Sequence, residues 1–295
     1  MSVNVIERYV PEEISRDQDR RNLQRMIEEG FMVMKLSSTV LLQIRESLLE
    51  KIKMHSEFHP DHENIKGGYS IGAGHLLVGE HRKYFEDFGN FLCKQKFVRD
   101  YVNLPKLVDI SVMYTLYNAE AAATPTHAHL WHRDGGDSRE YITIEIPLVA
   151  CTAANGMFSV MSKRVCSKEK SLRDAPMIER FSGMLANDYR HSDHLYRLSD
   201  PTVRGSIAKE NIFDFENELG DALLVDTGRC YHKGAHILGP GEYRLMVQLM
   251  IGGLSHDWRA GQTVLRQRMI NGMYRIAGKR PVRRVPGGDI FLGRD

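Results

Sequence analysis

Leu107-Val108-Asp109-Ile110-Ser111-Val112-Met113-Tyr114-Thr115-Leu116-Tyr117 is the stretch that decides the fold class. β-Branched and aromatic residues crowd it, and such side chains suit the pleated, half-buried surface of a strand. Further runs of the same character follow. YITIEIPLV (141–149) puts Ile142, Ile144 and Ile146 on one face and Thr143 and Glu145 on the other. GMFSVM (156–161), ALLVD (222–226, after the turn Gly220-Asp221) and YRLMVQLMI (243–251) complete the set, and FMVMKL (31–36) is a first strand upstream.

Around these runs the period changes to that of helices. Residues 12–29 read as an amphipathic helix stopped by Gly30. A second helix opens at Ser37-Ser38, whose hydroxyls suit an N-cap, and runs to about Lys53. Its apolar positions Val40, Leu41, Ile44, Leu48, Leu49 and Ile52 have helical spacing. Residues 81–103 look helical, with Phe85, Phe88, Phe91, Leu92 and Val98 as core, and Gln262–Ile276 again near the end. Helices first, then short strands joined by glycine-rich turns, predict an α+β protein with a mainly β core, a sandwich or barrel. A doubly wound sheet is disfavoured, because the later strands do not alternate with helices and no GxGxxG follows a strand.

The 295 residues are read as one domain: helical support over 1–105, core strands over 106–161 and 220–252, a polar insert over 162–219 and a basic tail over 253–295. The insert is long enough to act as a lid, with Asn187-Asp188-Tyr189-Arg190-His191 as possible substrate contacts. Net charge is only +2, so bulk electrostatics give no argument for nucleic acid. From Ser255 to Asp295 nine Lys/Arg face three Asp/Glu, a local +6, so the other 254 residues carry −4. Trp258 and Tyr274 lie in that tail without forming a stacking-plus-basic stripe, and nucleic acid is not expected as a partner. Cys93, Cys151, Cys166 and Cys230 show no zinc-type spacing and read as reduced thiols of a cytoplasmic protein. The charged N-terminus lacks an apolar h-region, and no run of about 18 apolar residues exists to span a membrane.

The chemistry concentrates at Leu130-Trp131-His132-Arg133-Asp134. In an extended segment His132 and Asp134 point to one side and can grip one ion. The chain has thirteen histidines. His55, His59, His62 and His75 lie among glycines and read as a loop near a pocket mouth rather than as ligands. The best third ligand is His232, just past the buried strand 222–226, with His236 as the alternative. Arg244 follows twelve residues after His232, the reach of a strand–turn–strand return. Two imidazoles and a carboxylate suit non-haem Fe(II) with open positions, enough for a bidentate 2-oxo acid and dioxygen. An arginine fork suits the far carboxylate of 2-oxoglutarate. Zinc uses similar ligands but gives no reason for the arginine.

These pieces resemble the phytanoyl-CoA hydroxylase-like branch of the Fe(II)/2-oxoglutarate-dependent dioxygenases. Trp131-His132-Arg133-Asp134 is similar to the family's WHxD. Asn155-Gly156 after Ile146-Pro147-Leu148 resembles its "PL…NG" stretch, and Gly220-Asp221…His232-Lys233-Gly234…Arg244 its GD…HxG…R segment. The resemblance covers roughly residues 107–251, about half the chain. It implies a double-stranded β-helix (jelly roll) flanked by N- and C-terminal helices. It implies Fe(II) on His132, Asp134 and His232, 2-oxoglutarate on Arg244, and hydroxylation of a small molecule with decarboxylation of 2-oxoglutarate to succinate and CO2. Asp134 argues against a halogenase, whose relatives carry a small residue there. Two departures stand out. Lys163-Arg164 replaces the usual ending of the stretch after Asn155-Gly156, and Gly234 stands where a hydroxyl often helps hold the co-substrate. Thr143 or Tyr114 is the expected substitute hydroxyl. Arg133, Arg139, Lys163, Arg164, Arg229 and Lys233 near the metal end suggest an anionic substrate. The competing reading is a cupin-like isomerase or a ligand-binding jelly roll without oxygenase turnover.

Overall fold

The computed structural model describes residues 14–58, 71–117, 119, 127–134, 141–166 and 198–253. Three helices come first: α1 (Arg16–Glu28), α2 (Ser38–Met54) and α3 (Gly79–Lys94). The Ser37 hydroxyl caps α2 by accepting from the Val40 amide at 3.4 Å. The single helix expected over 81–103 is broken. Gln95 is extended (φ −66°, ψ 140°), so α3 stops and the short α4 (Lys96–Tyr101) begins anew.

Among the described residues, all strand pairs are antiparallel. A six-stranded sheet contains β1 (Phe31–Lys35), β2 (Ile71–Gly72), β3 (Lys106–Leu116), β4 (Tyr141–Pro147), β7 (Asp221–Val225) and β9 (Tyr243–Gly252), in the order β1-β7-β4-β9-β3-β2. A three-stranded sheet orders β6 (Ile212–Phe215), β5 (Phe158–Met161) and β8 (His232–Gly234) as β6-β5-β8. The result is an α+β fold dominated by antiparallel sheet. The strand β6 and the short helices α5 (Lys163–Cys166) and α6 (Asp200–Ser206) fall inside the expected polar insert. The part of that insert from 198 onward is therefore built into the fold. Asn187–His191, Arg139, the His59 and His62 positions, the first residues of the N-terminal helix and the whole basic tail from 254, with its expected helix, lie outside the described residues.

The two faces of the large sheet have different jobs. Ile142, Ile144 and Ile146 of β4, Leu245, Val247, Leu249 and Ile251 of β9, and Ala222 and Leu224 of β7 pack with Val40, Leu41, Ile44 and Leu48 of α2 and Phe85, Phe88 and Leu92 of α3 in one apolar core. The alternate residues face the small sheet. There Leu223 and Val225 meet Phe158, Val160 and Phe215 in a second cluster. Register puts Thr143 beside Val225 and Met250, and Glu145 beside Leu223 and Gln248. Between the sheets, then, an apolar patch gives way to Thr143, Glu145, Gln248 and Arg244. β4 is buried on both faces along its whole length, so Thr143 and Glu145 are enclosed rather than washed by solvent, as is Arg244. Among the described residues, no helix is long and apolar enough to cross a membrane.

Candidate metal centre

His132, Asp134 and His232 come together. Each offers one donor atom, and the three donors lie within 4.8 Å of one another. His132 Nε2 stands 3.7 Å from Asp134 Oδ1, and His232 Nε2 stands 3.6 Å from Asp134 Oδ2. The backbone sets this up. His132 and His232 exchange both amide–carbonyl bonds, at 3.0 and 2.9 Å, so their side chains emerge on the same side. The Asp134 amide donates to Thr227 O at 2.9 Å, and its carbonyl accepts from the Tyr141 hydroxyl at 2.7 Å. The expected extended segment reduces to two single bridges, Trp131–Leu198 and His132–His232, plus these tethers.

The far nitrogen of each imidazole is also held. His132 Nδ1 lies 2.7 Å from Leu130 O, and His232 Nδ1 lies 3.2 Å from Cys230 O. A carbonyl only accepts, so both bonds require Nδ1–H, and that tautomer turns the Nε2 lone pair toward Asp134. This backbone support is typical of histidines that ligate metals. Both rings are buried, while Asp134 is partly exposed. His232 stacks on Phe158 with ring centroids 5.5 Å apart. Donor spacings of 3.6 and 3.7 Å suit one ion with bonds of about 2.1 Å, so the residues fit a divalent metal.

His236, the alternative third ligand, is not in the group. Its ring lies 3.9 Å from that of His129. Burial lowers its pKa, helped by the charges of Lys233 and Arg244. His55 and His75 contact each other and Phe58 in an aromatic cluster on the helix side of the sheet.

Arg244 is buried and reaches the small sheet. Its Nη1 donates to Gly156 O and, at 3.1 Å, to Ala235 O. The two glycines quoted in the sequence motifs make room for it. A Cβ on Gly234 would stand 3.2 Å from Nη2, and one on Gly156 would stand 2.9 Å from Nη1 and 2.4 Å from Ala235 O. Gly156 also sits at φ +82°, where other residues are strained. Gly234 therefore keeps the guanidinium against β8, two residues on from His232. Desolvation lowers the Arg244 pKa, opposed by Cys151 and Glu145.

Of the two hydroxyls expected near the co-substrate, Thr143 faces this interior. Its Oγ1 lies 3.0 Å from Thr227 Oγ1. Tyr114 does not. It is in register with Leu245, on the helix side, and packs against Phe58 and Tyr243 with centroids 6.0 Å away in each case. Thr115, in register with Arg244, is the neighbouring β3 residue on the interior face. The basic residues suspected of attracting an anion have protein partners. Lys233 pairs with Asp200, Arg229 with Asp226 and Arg164 with Glu29. Lys163 bonds the Tyr101 hydroxyl, and Arg133 lies 5.2 Å over the Tyr231 ring.

The sequence puts Glu145 on the Thr143 face of β4 without marking it as part of the site. It is buried and accepts from Gln248 Nε2 at 2.7 Å. Burial raises its pKa to about 7; the Gln248 bond and Arg244 oppose this, and the Asp134 charge adds to it. A charged residue in a strand buried on both faces was the available signal.

No protein-family model and no curated protein matches the chain. Solved structures similar to it include the non-heme alpha ketoglutarate dependent carbocyclase SnoK from nogalamycin biosynthesis (13% identity, 84% of this chain and 87% of that one, TM-score 0.48). The epimerase SnoN of the same biosynthesis (11%, 81% and 82%, 0.45) is another. HygX from Streptomyces hygroscopicus, with nickel and 2-oxoglutarate bound (15%, 80% and 87%, 0.43), is a third.

Proposed function

We propose that the protein is an Fe(II)/2-oxoglutarate-dependent oxygenase acting on a small molecule, built on a double-stranded β-helix. The observation that carries this reading is the pairing of two features on one strand, β8. His132, Asp134 and His232 converge on a single point. The Arg244 guanidinium lies against Gly234, two residues along β8 from His232. Zinc chemistry would need the first feature only.

Iron with 2-oxoglutarate and dioxygen supplies a two-electron oxidation, in which substrate C–H, 2-oxoglutarate and O2 become substrate C–OH, succinate and CO2. The chain's own part is positioning. The two imidazoles, fixed by backbone carbonyls, and the Asp134 carboxylate would hold the metal. Arg244 spends Nη1 on two carbonyls, which orients the fork; Nη2 and Nε form the edge for the distal carboxylate of 2-oxoglutarate. Thr143 and Thr227 hold one another. One of the two hydroxyls donates to the other, so the acceptor's proton is available to a bound carboxylate. Leu223, Val225, Phe158 and Val160 keep that side of the interior apolar, which excludes water from a reactive site.

The substrate of this reading is a small organic molecule. Incubation with Fe(II), ascorbate, 2-oxoglutarate and a broad substrate panel tests the reading through succinate. Succinate above the metal-free background is expected. A chain that binds Fe(II) yet neither binds 2-oxoglutarate nor releases succinate would exclude it.

A further inference from the structure

Behind the triad, on the face of the small sheet turned away from the interior, one carboxylate oxygen gathers both ligand-bearing segments. Trp131 precedes His132, and Lys233 follows His232. Neighbouring residues in extended chain point to opposite sides, so both side chains lie behind the imidazoles. Trp131 Nε1 donates to Asp200 Oδ1 at 2.8 Å. Lys233 Nζ reaches the same oxygen at 2.7 Å. The ammonium also lies 5.7 Å from the centre of the Trp131 ring. Trp131 is wholly buried and Lys233 nearly so.

Asp200 is itself fixed. It opens α6, which Ser199 caps. Arg204 Nε donates to its two oxygens at 3.0 and 3.1 Å. Arg204 also grips Asp214 with Nη1 and Nη2 at 3.1 and 2.7 Å, and Asp214 accepts from Ser159 Oγ of β5 at 2.6 Å. The backbone joins the two ligand segments through the bridge His132–His232 and the Asp134 amide to Thr227 O, and ties Trp131 to Leu198 just before α6. These bonds run along one edge of the chain, and the side-chain bonds at Asp200 add a second point of attachment behind it. The mutual tilt of the two segments is what aims two imidazoles at one ion.

We propose that Asp200 is a positioning residue for the metal triad: by bonding the chain neighbour of each imidazole through one oxygen, it sets the angle between His132 and His232 and so the affinity of the site for a divalent metal. The inference rests on reading His132, Asp134 and His232 as metal ligands. Lys233, which the sequence places at the metal end, thereby acts from behind the site rather than on a substrate.

The test is titration of the full-length chain with Co(II), reading the dissociation constant by competition and the ligand-field spectrum directly. Asp200→Asn keeps an acceptor but leaves the Lys233 charge unbalanced. Asp200→Leu combined with Lys233→Met removes both charges together, so no buried ion is stranded, and this pair carries the test if Asp200→Asn does not fold. Ser199→Ala is the control: it removes the cap of α6 and leaves the bonds from Trp131, Lys233 and Arg204 to Asp200 in place. Co(II) affinity is expected to fall roughly 10- to 100-fold with an altered spectrum in the Asp200 variants, and to stay within about twofold of wild type in Ser199→Ala even where its melting temperature drops. Folded Asp200 variants with wild-type affinity and spectrum overturn the proposal, as does an equal loss in Ser199→Ala. A wild-type chain that binds no Co(II) overturns the metal reading itself, and this one with it.

Discussion

Replacing Glu145 by glutamine should change how stability depends on pH, by an amount that follows from the site of the carboxyl. The group is enclosed between the sheets, and burial, with the Asp134 charge, raises its pKa from 4.5 to about 7. At about 1.4 kcal/mol per pH unit the whole difference is worth about 3 kcal/mol. A raised pKa means that the folded state binds the proton more tightly. The stabilisation from this group is therefore complete below pH 4.5 and is lost as pH rises through about 7. Glutamine keeps an oxygen for the Gln248 amide and abolishes the titration. Urea unfolding of metal-free protein at pH 5 and pH 8 measures the effect. Relative to wild type, Glu145→Gln should gain about 2 to 3 kcal/mol between those two pH values. A bound divalent metal neutralises part of the Asp134 charge, so metal should reduce the gain. Parallel pH profiles for the two proteins, within about 0.5 kcal/mol, would refute the reasoning and mean that the carboxyl is solvated.

Three other substitutions test separate parts of the structure. Arg244→Ala should weaken 2-oxoglutarate binding at least about tenfold, as expected for losing a charged hydrogen bond, while calorimetry shows metal binding unchanged. Gly156→Ala combines a left-handed backbone with a Cβ 2.4 Å from Ala235 O. It should destabilise the protein by at least about 2 kcal/mol in urea melts, with weaker 2-oxoglutarate binding because Arg244 is displaced. Tyr101→Phe removes the hydroxyl that donates to the buried Asp226 carboxylate and accepts from Lys163. The expected loss is about 1 to 3 kcal/mol, visible as a lower urea midpoint.

Much of the fold could be read from periodicity, and the exceptions have physical causes. Strands such as 141–149 and 243–251 announced themselves because one face meets helices and must be apolar. The parity of β3 was legible and overlooked. In LVDISVMYTLY Val108, Ile110, Val112, Tyr114 and Leu116 form an unbroken apolar and aromatic alternation, while Asp109, Ser111 and Thr115 fall on the other, so the pattern already sets Tyr114 on the helix side and Thr115 inward. The break at Gln95 has no proline or glycine to mark it. β6 is four residues, Ile212–Phe215, inside a polar stretch, too short to carry a period. At the candidate site, the coming together of His132, Asp134 and His232 was legible because ligand chemistry demands particular residue types, and Gly234 was legible as a departure that the Arg244 guanidinium packed on it explains. Asp200 was not: its bonds to Trp131 and Lys233 join residues 69 and 33 positions apart, and only the folded chain brings them together.

Anaerobic addition of Fe(II) and then 2-oxoglutarate to the purified chain, followed in the visible range, tests the central claim most directly. A weak charge-transfer band should appear only when both are present, be lost in His132→Ala, and need much more 2-oxoglutarate in Arg244→Ala. A wild-type chain that shows no band with both components, or an unchanged band in His132→Ala, would contradict it.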